Sequence, residues 1–218
     1  MTRLELVGPD APGDDRIQRR RRATLAEILE VSLQVMSEEG VGGLSLSEVA
    51  RRMGIKQPSL YKHVDSKMAV YDLLFAAGAR AHDAAIDEAV AGRELDVETL
   101  ATGFEAGVRW CIDNPTLTQL LYWRPVPGFE PSPLAFAPSL ASMERLREVL
   151  GQCVDRGELR AEAASEGGVA MFTCLFSGVI TQQLANQPGV PFEQGRFTRH
   201  TGEAFACFLA RYGARAPQ

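Results

Sequence analysis

The chain has 218 residues, of which 45% are hydrophobic and 23% charged, with a formal net charge of −5. That is the composition of an ordinary soluble globular protein, long enough for one sizeable core or for a small domain joined to a larger one. Its cysteines, Cys111, Cys153, Cys174 and Cys207, lie far apart with no C-x-x-C pair. That spacing excludes a zinc or disulfide framework and fits buried thiols in a reducing cytoplasm.

The charge is unevenly spread. Residues 16–67 carry ten Lys/Arg against six Asp/Glu, whereas residues 68–218 carry twelve against eighteen. The basic part suits phosphate neutralisation. The N-terminus is acidic and leads into an amphipathic pattern, not an apolar leader. The longest strongly apolar stretch, residues 169–180, is short for a bilayer span and includes Thr173 and Ser177. A cytoplasmic location is expected.

Residues 1–18 hold Gly8-Pro9, Pro12-Gly13 and several acids and are expected to form a disordered arm. Four arginines follow, Arg19, Arg20, Arg21 and Arg22. They read either as a solvated charge run or as a phosphate or minor-groove contact. A first helix is predicted over residues 24–39, opened by a Thr24/Glu27 capping box. Its predicted buried stripe is Leu25, Ile28, Leu29, Ser32, Val35 and Met36, and Gly40, Gly42 and Gly43 end it.

Residues 45–67, SLSEVARRMGIKQPSLYKHVDSK, organise the rest. Ser45 and Glu48 make a second capping-box pair. Leu46, Val49, Ala50 and Met53 recur at helical spacing. Gly54 supplies a left-handed stop. Lys56, Gln57, Pro58 and Ser59 then open a short helix, with Pro58 tolerated in its first turn. Leu60 and Val64 are one turn apart and face inward, leaving Gln57, Ser59, Tyr61, Lys62 and His63 outward. A short helix with hydrogen-bonding tips and positive charge suits the DNA major groove.

A fourth helix is predicted from the Asp65-Ser66-Lys67 break to about residue 90, and a fifth along Val97, Leu100, Phe104, Val108 and Ile112. Asn114-Pro115 stops the fifth. A short helix over 116–123 precedes residues 124–138, whose five prolines predict an irregular loop. A further helix carries Leu140, Met143, Leu146, Leu150 and Val154, with Gly157 at its C-cap. The last two are predicted over 163–186 and 192–212. They are apolar enough to bury more than one face, one in the core and one against a partner. The fold class is therefore all-α. Its expected domains are a 1–18 arm, a 19–67 helix-turn-helix domain and a 68–218 helical domain.

The run Gly54-Ile55, Leu60-Tyr61, His63 and Lys67, with Gln57-Pro58-Ser59 between, resembles the helix-turn-helix of the TetR family of bacterial transcriptional repressors. The resemblance is strong over residues 24–75 and one of helical layout beyond them. It implies that Lys56, Gln57, Pro58, Ser59, Tyr61, Lys62 and His63 line the DNA face. Gln57 suits adenine, and Lys56 guanine or phosphate. Pro58 and Ser59 suit a thymine methyl. Ser45, Tyr61, His63 and Lys67 suit phosphate. It also implies a homodimer held by the final helices, a palindromic double-stranded DNA operator and a small-molecule effector.

Phe104, Trp110, Tyr122, Trp123, Met171, Phe172 and Phe176 are the candidate lining of an apolar or aromatic effector pocket, although aromatics at helical spacing also build plain core. Arg109, Arg124 and Gln183 are its candidate polar groups. The name-giving member of the family holds a drug–Mg²⁺ chelate through histidines and an acid. This chain has only His63, His82 and His200, with no matching acidic set, so no metal or other cofactor is expected. The functional expectation is a repressor released by its ligand. An activator or co-repressor-dependent regulator uses the same parts. An all-helical enzyme with a DNA-binding head is the rival from another class, but no nucleophile–base pair or phosphate loop supports it.

Overall fold

The computed structural model describes residues 16–214 of the chain, and the regular elements among them are all helical. The chain divides into two compact units. One comprises Met1–Ala81 with Thr116–Pro138, and the other His82–Pro115 with Ser139–Gln218.

In the first unit, α1 (Arg16–Glu39) buries Ile28, Leu29, Ser32, Val35 and Met36, so the expected stripe forms with Leu25 at its half-buried margin. The helix starts eight residues before the expected Thr24. Thr24 is no cap: its hydroxyl donates to the Arg20 carbonyl one turn back (3.0 Å). Arginine is a good helix former, and residues 16–18, expected in the arm, are helical here. The rest of that expected arm lies outside the described residues.

After a 3₁₀ turn (Val41–Gly43), α2 (Leu46–Arg52) buries Leu46, Val49 and Ala50, and α3 (Gln57–Leu60) buries Leu60. Full burial of that leucine contributes about 1.5–3 kcal/mol. The first half of α4 (Lys67–Val90) adds Val70, Tyr71, Leu74 and Phe75 to the same core. The Tyr71 hydroxyl donates to the Val41 carbonyl at 2.6 Å, which ties the glycine-rich turn to α4. α6 (Pro115–Thr118) runs into a π-turn (Gln119–Trp123) that ends at Arg124, a left-handed residue at φ 45°. Asp72 accepts from the backbone N–H (2.7 Å) and hydroxyl (2.6 Å) of Ser132, whose Oγ caps α7 (Pro133–Asp155).

That helix corrects an expectation. Residues 124–132 are irregular, but the last two of the five prolines lie within α7, Pro133 at its first position and Pro138 inside it. A proline at the first position loses no bond. Pro138 forfeits one, to the carbonyl of Leu134, a residue 85% exposed to water.

In the second unit, Asp96 caps α5 (Val97–Asp113) by accepting from the Thr99 N–H at 2.8 Å. Ser165 caps α8 (Glu166–Asn186) through the Gly168 N–H at 3.2 Å. The core is aromatic. Phe104 meets Phe172 and Phe176 edge-on at 5.1 and 5.4 Å, and Phe172 meets Phe208 edge-on at 5.4 Å. Such T-shaped pairs are favoured by the ring quadrupole.

The final helix is shorter than expected. Two 3₁₀ turns (Phe192–Gln194 and Thr198–His200) precede α9 (Thr201–Tyr212). The cause is Gln183, fully buried on α8. Its Oε1 accepts from the N–H groups of Phe197 and Thr198 at 3.0 and 3.4 Å, which removes those donors from a helical ladder. By length and apolarity α8 alone among the described residues suits a membrane span, so the 12-residue apolar stretch understated it. Its Val169, Phe172, Phe176, Ile180 and Leu184 are nonetheless buried core.

Candidate nucleic-acid interface and ligand-binding region

The interface is assembled by local backbone chemistry. Ser45 accepts from the Glu48 N–H at 3.5 Å. Glu48 does not complete the capping box, because its carboxylate is taken by Arg51 (2.7 and 2.8 Å) and Arg52 (2.7 Å). At the other end of α2, Ile55 N–H donates to Ala50 O (3.0 Å) and Gly54 N–H to Arg51 O (3.2 Å). That bond pair is a Schellman turn, and it places Gly54 at φ +66°, where a Cβ is disfavoured.

The turn delivers Lys56 in extended conformation as the N-cap of α3, with Pro58 in the first turn. Leu60 and Val64 face inward at 0% and 3% exposure. Lys56, Gln57, Pro58, Tyr61 and Lys62 are exposed. Ser59, His63 and Lys67 are half-buried, so the outward reading is corrected for Ser59 and His63. The His63 Nδ1 is buried without a hydrogen bond among the described residues. The Lys67 ammonium lies 5.8 Å from the centre of the Tyr71 ring, and the Ser66 hydroxyl caps α4 at Ala69 N–H (3.1 Å).

The candidate ligand residues are divided between the two units. Phe104, Phe172 and Phe176 fill the core of the second unit against each other. Trp110 packs at its edge, 5.3 Å from the ring of His82. Met171 lies on the outward face of α8, 44% exposed. Tyr122 and Trp123 belong to the first unit, in its π-turn, and are 37% and 39% exposed. Gln183 is a backbone clamp. Arg109 pairs with Glu105 and Glu193 and lies over Phe192. Arg124 lies over Phe75 and Phe136.

A polar cluster escaped the sequence reading. Asp83 on α4 takes the Ser142 hydroxyl and the Arg145 guanidinium (2.9 Å) from α7, and His82 Nδ1 stands 3.8 Å away. Burial raises the Asp83 pKa, but the nearby His82 imidazole, the hydrogen bond from Ser142 and the charge of Arg145 outweigh it and hold the carboxyl below its usual range. His82 also meets Phe176 edge-on at 5.9 Å. The adjacency of His82 and Asp83 was visible, but their partners on another helix carry no sequence signal. The thiols also divide: Cys111 and Cys153 are buried, and burial lifts Cys153 to about 11, whereas Cys174 and Cys207 are exposed, contrary to expectation.

A Ser-capped helix, a Schellman turn and a short outward polar helix define a helix-turn-helix head on an all-α protein. Comparisons with known proteins agree. Residues 28–74 match the bacterial regulatory proteins of the tetR family. The HTH-type transcriptional regulator Rv1816 of Mycobacterium tuberculosis is 32% identical over 113 residues, 50% of this chain and 47% of that protein. The class D tetracycline repressor protein of Escherichia coli is 36% identical over 53 residues, 24% of each chain. The crystal structure of the TetR family transcriptional regulator PfmR from Thermus thermophilus superposes with a TM-score of 0.64 at 22% identity, covering 84% of this chain and 97% of that one. The chain spans about half the length of the curated relatives it first matches. Over residues 28–74 the chain carries the DNA-binding segment of the tetR family, and beyond them the likeness to solved structures is one of fold.

Proposed function

We propose that the protein is a homodimeric repressor that binds a palindromic operator and releases it when a small apolar or aromatic molecule binds. Residues 19–67 serve as the DNA-binding domain and residues 68–218 as the effector-binding and dimerisation domain. The observation that carries the reading is α3. Leu60 alone of its four residues is buried, so Lys56, Gln57, Pro58 and Tyr61 remain outward for the groove while the scaffold holds the backbone. Gln57 reads adenine through its amide, and Lys56, Tyr61 and Lys62 steady the phosphates. Two such helices bind successive major grooves when about 34–36 Å apart.

A second copy is supported by the outward face of α8, where Ala170, Met171, Cys174 and Gly178 are exposed, and by Gly202, Ala206, Cys207 and Ala210 on α9. Small residues let helices approach closely, and an apolar face of this extent favours a partner. The effector reading rests on the aromatic second unit, with Trp110, Phe176 and the His82–Asp83–Ser142–Arg145 cluster as its polar-edged part. A ligand acts there only through its difference in affinity for two conformers.

The test is a genomic-fragment selection with purified protein at stated salt. A recurring short palindrome, lost with Gln57→Ala, is the expected result. Recovery of non-specific DNA alone by a folded dimer would overturn the repressor reading.

A further inference from the structure

The helix-turn-helix proper is nearly electroneutral. Residues 25–67 carry five Lys/Arg (Arg51, Arg52, Lys56, Lys62 and Lys67) against six Asp/Glu. Arg51 and Arg52 are both engaged, by Glu48 and by Glu38. DNA presents one phosphate charge per ~1.7 Å of duplex axis, and the three lysines that remain are few for that field. The entire positive excess of the head lies in residues 16–24, which hold five arginines and no acid.

These arginines are ordered on α1. The first buried residue of that helix is Ile28, so at 1.5 Å per residue Arg16 stands about 18 Å further along the axis. Arg16, Arg19, Arg20 and Arg21 are exposed, and none pairs with an acid among the described residues. Arg22 is half-buried and engaged. At 3.6 residues per turn Arg16, Arg19 and Arg20 share one face. A guanidinium binds phosphate through two parallel hydrogen bonds, and a helix continuous with the head presents several at fixed spacing.

We propose that Arg16, Arg19, Arg20 and Arg21 form a second DNA-binding element that contacts backbone phosphates, and that it supplies most of the head's counterion release while α3 reads bases. The proposal rests on the DNA-binding reading above. It goes beyond that reading by separating the source of affinity from the source of sequence choice. Phosphate contacts carry no direct sequence information, so the element raises affinity for every duplex alike.

The test uses the full chain with the triple substitution Arg19→Gln, Arg20→Gln and Arg21→Gln, and a matched triple to Lys. Binding is measured across a salt series to a random-sequence duplex and to the palindrome recovered by selection. The Gln triple removes six arginines from the dimer and is expected to lower the log–log salt slope by about five, at ~0.9 for each phosphate no longer neutralised. The ratio of palindrome to random-duplex affinity should be unchanged, and the Lys triple should keep the slope. A wild-type slope in the Gln triple, or an equal loss in the Lys triple, overturns the proposal. Should the Gln triple misfold by circular dichroism, Arg16→Gln at the exposed first residue of α1 gives the same readout, a loss of about two units of slope in the dimer. Failure of the DNA-binding reading looks different: the wild-type protein would then bind neither duplex.

Discussion

Arg52 on α2 grips Glu38 near the end of α1 with both prongs of its guanidinium, Nη1 to Oε1 at 2.9 Å and Nη2 to Oε2 at 2.7 Å, while its Nε holds Glu48 at 2.7 Å. Isolated exposed pairs contribute little, but a forked pair within a network fixes geometry. This one sets α2, and through the Schellman turn α3, against α1. It also keeps the guanidinium from the phosphates.

The network predicts an acid limb in stability. Hydrogen bonds from Arg51 and then Arg52, helped by their charges, hold Glu48 down from 4.5 to about 2. Glu38 is lowered by its bond to Arg52. A carboxyl with a depressed folded-state pKa stabilises the fold above its unfolded value, and that contribution is lost as pH falls through the folded value. Melting temperatures of wild type and Glu48→Gln should therefore differ most near neutral pH and converge between pH 4.5 and about 2. A gap that stays constant down that window would assign the effect to packing.

At the interface, Gln57→Ala and Tyr61→Ala should fail differently. Loss of the amide is expected to cost about 1–3 kcal/mol on the operator and to relax the choice of one base pair. Tyr61→Ala should weaken binding to all duplexes by a similar factor, since a phosphate contact carries no base identity. Both variants should remain folded, because neither side chain is buried. Binding isotherms on the operator and on single-base variants of it separate the two, and unchanged binding by folded Tyr61→Ala would remove that residue from the interface.

Gln183 is the most consequential buried amide. Gln183→Leu keeps the volume but leaves the Phe197 and Thr198 N–H groups without their acceptor. Each stranded donor costs about 1–3 kcal/mol, so denaturant titration should show a loss of ~2–6 kcal/mol. A near-neutral result would mean that water takes over both bonds.

Gly178 tests self-association. It lies in the middle of α8, exposed, and a Cβ added there meets no atom within 4 Å in the single chain. For a lone chain Gly178→Ala should stabilise the helix by up to ~1 kcal/mol. With a second copy packed on that face the methyl instead intrudes, and the dimer should dissociate at higher concentration in sedimentation equilibrium. A rise in stability with unchanged self-association would move the dimer interface elsewhere.

The head was legible because its signals are local. Ser45, Gly54, Pro58 and the Leu60/Val64 pair each act within a few residues of themselves, and the structure uses all of them. The start of α1 was misplaced because Thr24 and Glu27 mimic a cap while the preceding arginines favour helix just as well. The break before α9 could not be read, since it is made by Gln183, fourteen residues before the backbone it captures. Faces were illegible on α8 for a related reason. A helix apolar almost all round does not declare which side meets the core, so Met171 and Cys174 passed for interior residues. The effector candidates were read from side-chain type alone, and type does not distinguish Phe104, locked in an edge-to-face cluster, from Trp123, exposed in the other unit.

The way α3 is mounted makes it a replaceable part. Its footing in the core is Leu60, with Val64 just beyond, and the backbone that aims it is set by Gly54 and the Arg52 grip. Lys56, Gln57, Tyr61 and Lys62 are thereby uncoupled from the packing. An engineer could exchange these four positions as a set, retuning the address the protein answers to while the rest of the molecule keeps its sequence.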